Sequence, residues 1–209
     1  MHAVLRSLMD RISREIAGLS EATTQLHPDV QGRNWSVQQM VEHLALNYRA
    51  TTRNLEAHLA KGHITRNQNR SLVEWTLQLM VLSFGHHPGG VPLLEETSAE
   101  VGRSPAKNGN ELVEMLQEEL EAMDIALDRC RRKFGMERVA VHPMLGPLRV
   151  DQWRRFHAIH GRQYLKQLVQ VKEQVASRAV PVSSLGVKLA PVHTTGMAAT
   201  GANFSQFKK

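Results

Sequence analysis

The chain has 209 residues, a formal net charge of +6, a sequence pI of about 9.8 and a single cysteine, Cys130. One cysteine excludes an internal disulfide and any zinc site built on several thiolates, so a metal here would need imidazole, carboxylate or other oxygen ligands. The 42% hydrophobic and 22% charged content is that of an ordinary globular protein, and the 5% aromatic content is thin for stacking on nucleic-acid single strands.

Five helical segments stand out, and no strand pattern competes with them. The first runs from about Ala3 to Leu19, with Leu5, Leu8, Ile12, Ile16 and Leu19 at helical spacing. The second opens with "NWSVQQ". Ser36 is its N-cap, Gln39 completes a capping box, and the segment ends near Gly62. The third covers about Ser71 to Phe84 and is stopped by "GHHPGGVP". It is the most apolar stretch of the chain, but it is shorter than the roughly 20 residues of a membrane span and carries Glu74 and Gln78. After a polar connection, Asn110 is placed to cap the fourth helix, whose Leu112, Met115, Leu116, Leu120, Met123 and Leu127 recur at threes and fours. The basic cluster "DRCRRKF" lies at that helix's C-terminus. Cations there complement the helix dipole, which argues against a nucleic-acid surface.

The fifth helix follows "VHPMLGPL" and runs from about Val150 to Ala176. Beyond it the sequence is rich in Ser, Gly, Ala, Pro and Thr with no sustained period. The division is therefore a helical domain over residues 1–177 and a flexible tail over 178–209. The N-terminus lacks the apolar core of a signal peptide, so we expect a cytoplasmic protein with no membrane partner. The fold class expected is all-α, a bundle of four main helices plus a shorter one, with one long crossover.

On a wheel at about 100° per residue, His157, His160, Tyr164, Trp153, Leu168 and Val171 share one arc of roughly 80°. Arg154, Arg155, Arg162, Lys166 and Glu173 fall elsewhere. Both histidines and Tyr164 therefore point inward. Inward imidazoles are either core residues held by hydrogen bonds or metal ligands, and residues three or four apart can converge on one ion. A second helix must then supply another ligand. His43 in "VEHLAL" is the candidate, because it flanks the apolar stripe of its helix. His86 and His87 read as loop surface. His142 precedes Pro143 and reads as an extended or turn residue. His2, His27, His58, His63 and His193 read as surface or tail.

Two stretches, "NWSVQQMVEHLALNYRATTRNLEAHLAKG" and "HPMLGPLRVDQWRRFHAIHGRQYLKQL", together resemble the second-helix and last-helix signatures of the DinB-like superfamily. The likeness is strongest to the subgroup with HP-x-x-G-x-L before QW-x-x-F-x-x-x-H. The resemblance implies an up-down-down-up four-helix bundle, a homodimer, and a divalent metal, nickel or zinc, held by three histidines. The family's first two ligands map to His43 and His160. The third position is Tyr164, where relatives carry histidine. Three readings follow: His157 replaces the third ligand, Tyr164 serves as a phenolate or supporting group, or the metal site has lapsed and the bundle remains. The resemblance further implies a metal-dependent thiol transferase or hydrolase-type enzyme working with a low-molecular-weight thiol. The alternative is a non-catalytic scaffold that binds a small-molecule ligand or a protein partner.

Overall fold

The computed structural model describes residues 1–29, 32, 34–62, 71–85 and 100–179. Met1–Ala179 forms one compact unit. Most of the tail expected over 178–209, the His86–His87 pair, His63 and His193 lie outside the described residues.

The described chain is mostly helical: α1 (Ala3–Ile16), α2 (Glu21–Gln25), α3 (Val37–Lys61), α4 (Leu72–Phe84), α5 (Gly109–Phe134) and α6 (Val150–Ala179). Between α5 and α6 stands an antiparallel pair, β1 (Arg138–His142) and β2 (Gly146–Arg149). None of these helices is long and apolar enough to cross a membrane.

Local chemistry explains most boundaries. In α3 the Ser36 hydroxyl accepts from the Gln39 amide and the Gln39 side chain accepts from the Ser36 amide, the reciprocal pairing expected of the box. Gly62 ends the helix at φ 77°, where its amide donates to the His58 carbonyl. Ser71 and Glu74 make the same box on α4, and Gly85 closes it. Helix α1 stops three residues earlier than its apolar spacing predicts, because Gly18 takes a positive φ and turns the chain.

Three expectations are corrected. The cap of α5 is Asn108, not Asn110: the Asn108 carboxamide oxygen accepts from the amides of Asn110 and Glu111, and Glu111 returns the bond. Asn110 instead accepts from the Gly18 amide. The helix starts at this point because Gly109 abuts the end of α1. Its amide donates to the Leu19 carbonyl at 2.8 Å. The short α2 was not foreseen. Five residues cannot display a helical period, and it is held by Ser20, whose hydroxyl accepts from the Thr23 amide. The hairpin contradicts the expectation of no strands. "HPMLG" forms its connection, with Gly146 at φ 68° and His142 Nδ1 accepting from the amides of Met144 and Leu145. Val139, Ala140, Leu145 and Leu148 pin the hairpin to the core.

One core joins the long helices. α1 packs on α5 and α6, and α3 packs on the same two; α4 lies against α6 and β2. Leu5, Ile12, Tyr48, Leu55, Leu116, Met123 and Leu127 are fully buried within that core. Helix α4 is apolar on its outer side too: Leu72, Val73, Trp75 and Phe84 are exposed.

The α1–α5 junction yields a stability prediction. A Cβ on Gly109 would lie 1.8 Å from the Ile16 carbonyl oxygen, a backbone atom that cannot swing aside. Gly109→Ala is expected to destabilise the protein by about 1–3 kcal/mol despite the better helix propensity of alanine. Urea unfolding of the two proteins measures it, and an unchanged or raised midpoint would show that the junction opens freely.

Candidate functional site

Helices α3 and α6 pack side by side and bring their polar inward residues together. Trp153, His157, His160, Leu168 and Val171 are all buried and Tyr164 is half-buried, as the wheel predicts. Arg154 departs from it. Expected among the outer residues, it is 8% exposed and holds Asp124 through Nε at 2.7 Å and Asp128 through Nη2 at 2.6 Å. A guanidinium can enter a core in this way when carboxylates accompany it.

His43, His160 and Tyr164 meet. Their ring centroids are 5.4 Å apart for the two histidines, 4.8 Å for His43 and Tyr164, and 4.9 Å for His160 and Tyr164. Phe156 stacks on His160 at 5.6 Å. Two residues that the sequence reading passed over complete the cluster. The Trp35 ring lies 5.2 Å from His43 and 6.3 Å from Tyr164. The Asn47 amide nitrogen donates to the His43 carbonyl at 2.7 Å and lies 3.0 Å from His43 Nε2. Asn47 is one turn from His43, and that spacing was its only signal. Trp35 sits just before the Ser36 cap, outside any helical period.

His157 is not part of this group. Its Nε2 lies 3.0 Å from the Thr51 hydroxyl, and its ring packs on Tyr48 at 5.2 Å and Trp153 at 5.7 Å. It belongs to a layer with Tyr48 and Thr51 on α3. His142 packs on Phe156 at 4.3 Å while capping the hairpin turn.

Burial sets the charge of the cluster. It pushes the His43 imidazole down to about 4, so the ring is neutral at pH 7. It pushes the Tyr164 phenol up to about 12, so that hydroxyl keeps its proton. Burial and the neighbouring His142 take His157 down to about 3. The neutral His43 imidazole can serve as a ligand, but a protonated phenol is a poor one. The Asn47 amide nitrogen lies 3.0 Å from His43 Nε2 and 3.3 Å from Nδ1, a position over the ring rather than along either in-plane lone pair. Among the described residues, no three His, Cys, Asp or Glu side chains are grouped so as to hold a metal ion. This donor set does not fit the three-histidine centre implied by the resemblance.

Beside the cluster is a groove of about 480 Å³ whose walls include Trp35, Met40, Tyr164, Gln167, Gln170 and Gln174. Its lining residues are uncharged, combining aromatic faces with carboxamides.

Compared with family models, with curated proteins and with solved structures, the chain matches none.

Proposed function

We propose that the chain is a DinB-like bundle of four long helices, α1, α3, α5 and α6. In it the metal centre of the superfamily has become an aromatic and imidazole cluster. The protein then acts as a non-catalytic scaffold that takes a small ligand or a partner's side chain in the groove beside that cluster. The packing of α1 and α3 each against α5 and α6 supports the bundle. One observation carries the functional reading. Tyr164 occupies the third-ligand position in ring contact with both histidines, and burial keeps its phenol protonated. Lining made of Trp35, Tyr164 and glutamines suits uncharged groups that stack and accept hydrogen bonds.

A second reading has one observation in its favour. His43 and His160 still face each other across α3 and α6 with neutral His43, two-thirds of the ligand set of a metal-dependent thiol transferase or hydrolase.

Elemental analysis of the purified full-length chain separates the two. The scaffold reading expects nickel and zinc far below one ion per chain, and no change in that content on His43→Ala. One ion per chain that disappears in His43→Ala would replace it with the enzyme reading.

A further inference from the structure

A second concave site lies elsewhere on the molecule. It is a cavity of about 800 Å³ bounded by the start of α1, the end of α4, and α5 and α6. Asp151, Arg154, Arg155, Ala158, Ile159 and Arg162 of α6 line it. Their spacing of threes and fours is that of one helix face, and Ala158 leaves room at its centre. Arg131 of α5 and the exposed Phe84 ring of α4 complete the rim.

Charged residues along a helix are most often a solvated face. Here the base of the cavity differs from such a face. Arg154 is buried and its plane is fixed by two carboxylates, Asp124 on Nε and Asp128 on Nη2. The Asp124 carboxylate is engaged from a second side by the His2 amide at 2.6 Å. Neither arginine bond uses Nη1, so a pre-oriented guanidinium keeps one amino group for a ligand. Above it, Arg131, Arg155 and Arg162 are exposed, and among the described residues none of the three makes an ion pair. The two carboxylates in the lining are already committed, Asp128 to Arg154 and Asp151 to Arg149. The cavity therefore has an excess of positive charge.

We propose that this cavity binds a phosphate monoester carrying an apolar or aromatic group. Guanidinium groups approach from α5 and from two turns of α6. A tetrahedral dianion with three free oxygens can meet several of them, whereas a carboxylate offers two oxygens in one plane. The Phe84 ring and Ile159 supply an apolar wall for the organic part.

The test is calorimetric titration of the full chain with phenyl phosphate at low salt. Inorganic phosphate and benzoate are run as comparisons. Saturable one-to-one binding of phenyl phosphate is expected, tighter than either comparison and weakening as salt is raised. The double variant Arg155→Ala/Arg162→Ala should lose about tenfold or more in affinity while its melting temperature and helical circular dichroism stay unchanged. Phe84→Ala should weaken phenyl phosphate and leave inorganic phosphate as it was. No saturable binding, or equal binding by the double variant, overturns the site. Benzoate binding as tightly as phenyl phosphate overturns the phosphate assignment.

Discussion

Lowering the pH from 6.5 to about 4.5 is expected to strip the protein of several kcal/mol of stability through two buried histidines. Burial holds His157 down to about 3 and His43 down to about 4, against an ordinary histidine value of 6.5. For each group the folded value is depressed. In the unfolded chain both imidazoles take up a proton as the pH falls through 6.5, whereas in the folded chain neither does until it approaches 4 or below. The unfolded state binds more protons in that window, so stability is complete above it and declines as the pH falls. Each histidine contributes a slope of about 1.4 kcal/mol per pH unit, and the pair about 2.7. Over the two units to pH 4.5 that is on the order of 5 kcal/mol, comparable with the whole stability of a small domain. The pairing of Asp128 with Arg154 holds that carboxyl below its usual range, so its loss belongs to more acid conditions. His157→Gln removes one titrating ring and keeps a group able to bond the Thr51 hydroxyl. Urea unfolding at pH 7, 6, 5 and 4.5 should give the variant a slope shallower by about 1.4 kcal/mol per unit. Parallel profiles for the two proteins would mean that His157 is protonated in the folded state, and the layer it forms with Tyr48 and Thr51 would need another account.

Helix ends set by short-range chemistry were legible in the sequence. Ser36, Gln39 and Gly62 delimit α3 where the residues say they should, because the cap bonds join neighbours three or four apart. Asn108 was just as legible, since a single N-x-x-E runs from Asn108 to Glu111, but Asn110 drew the assignment by lying closer to the apolar run. The hairpin was hidden for a different reason. Its strands are five and four residues long, interrupted by Pro143, Gly146 and Pro147, and they gain their burial only by lying on the helices. The HP-x-x-G-x-L stretch reads in the structure as that hairpin: His142 caps the turn, Gly146 supplies the positive φ and Leu148 is buried. The inward face of α6 followed from periodicity, but which inward residues meet depends on how α3 and α6 are registered. One helical turn separates His160, which faces His43, from His157, which faces Thr51. Periodicity places both on one arc and cannot choose between them.

The same register makes position 164 the point at which metal affinity can be changed most. The phenol ring lies 4.8 Å from the His43 ring and 4.9 Å from the His160 ring. An imidazole in its place supplies a third ring nitrogen, one turn from His160 on the same helix face, a spacing at which two rings can share an ion. Burial holds His43 neutral down to about 4, so protons do not compete for that ligand at pH 7. The Asn47 amide does not stand in the way, since it bonds the His43 carbonyl and lies over the ring, 3.0 Å from Nε2 and 3.3 Å from Nδ1. Four-ligand structural zinc sites gain about 10–16 kcal/mol, or roughly 3 kcal/mol per ligand, so Tyr164→His should bind nickel or zinc on the order of 100-fold more tightly than the unaltered chain. Titration calorimetry of both proteins with each metal reads the difference directly. A rise in melting temperature with metal, confined to Tyr164→His, checks that the ion binds the folded state. Equal and weak binding by both proteins would show that the two histidines cannot turn toward a common ion, leaving His43 and His160 as core residues between α3 and α6. Tight binding by the unaltered chain that His157→Ala abolishes would place the third ligand one turn back along α6, contrary to its contact with Thr51. Tight binding by the unaltered chain that Tyr164→Phe abolishes would instead mean that the ion itself removes the phenol proton, which a bound divalent cation can do when two imidazoles already hold it in place.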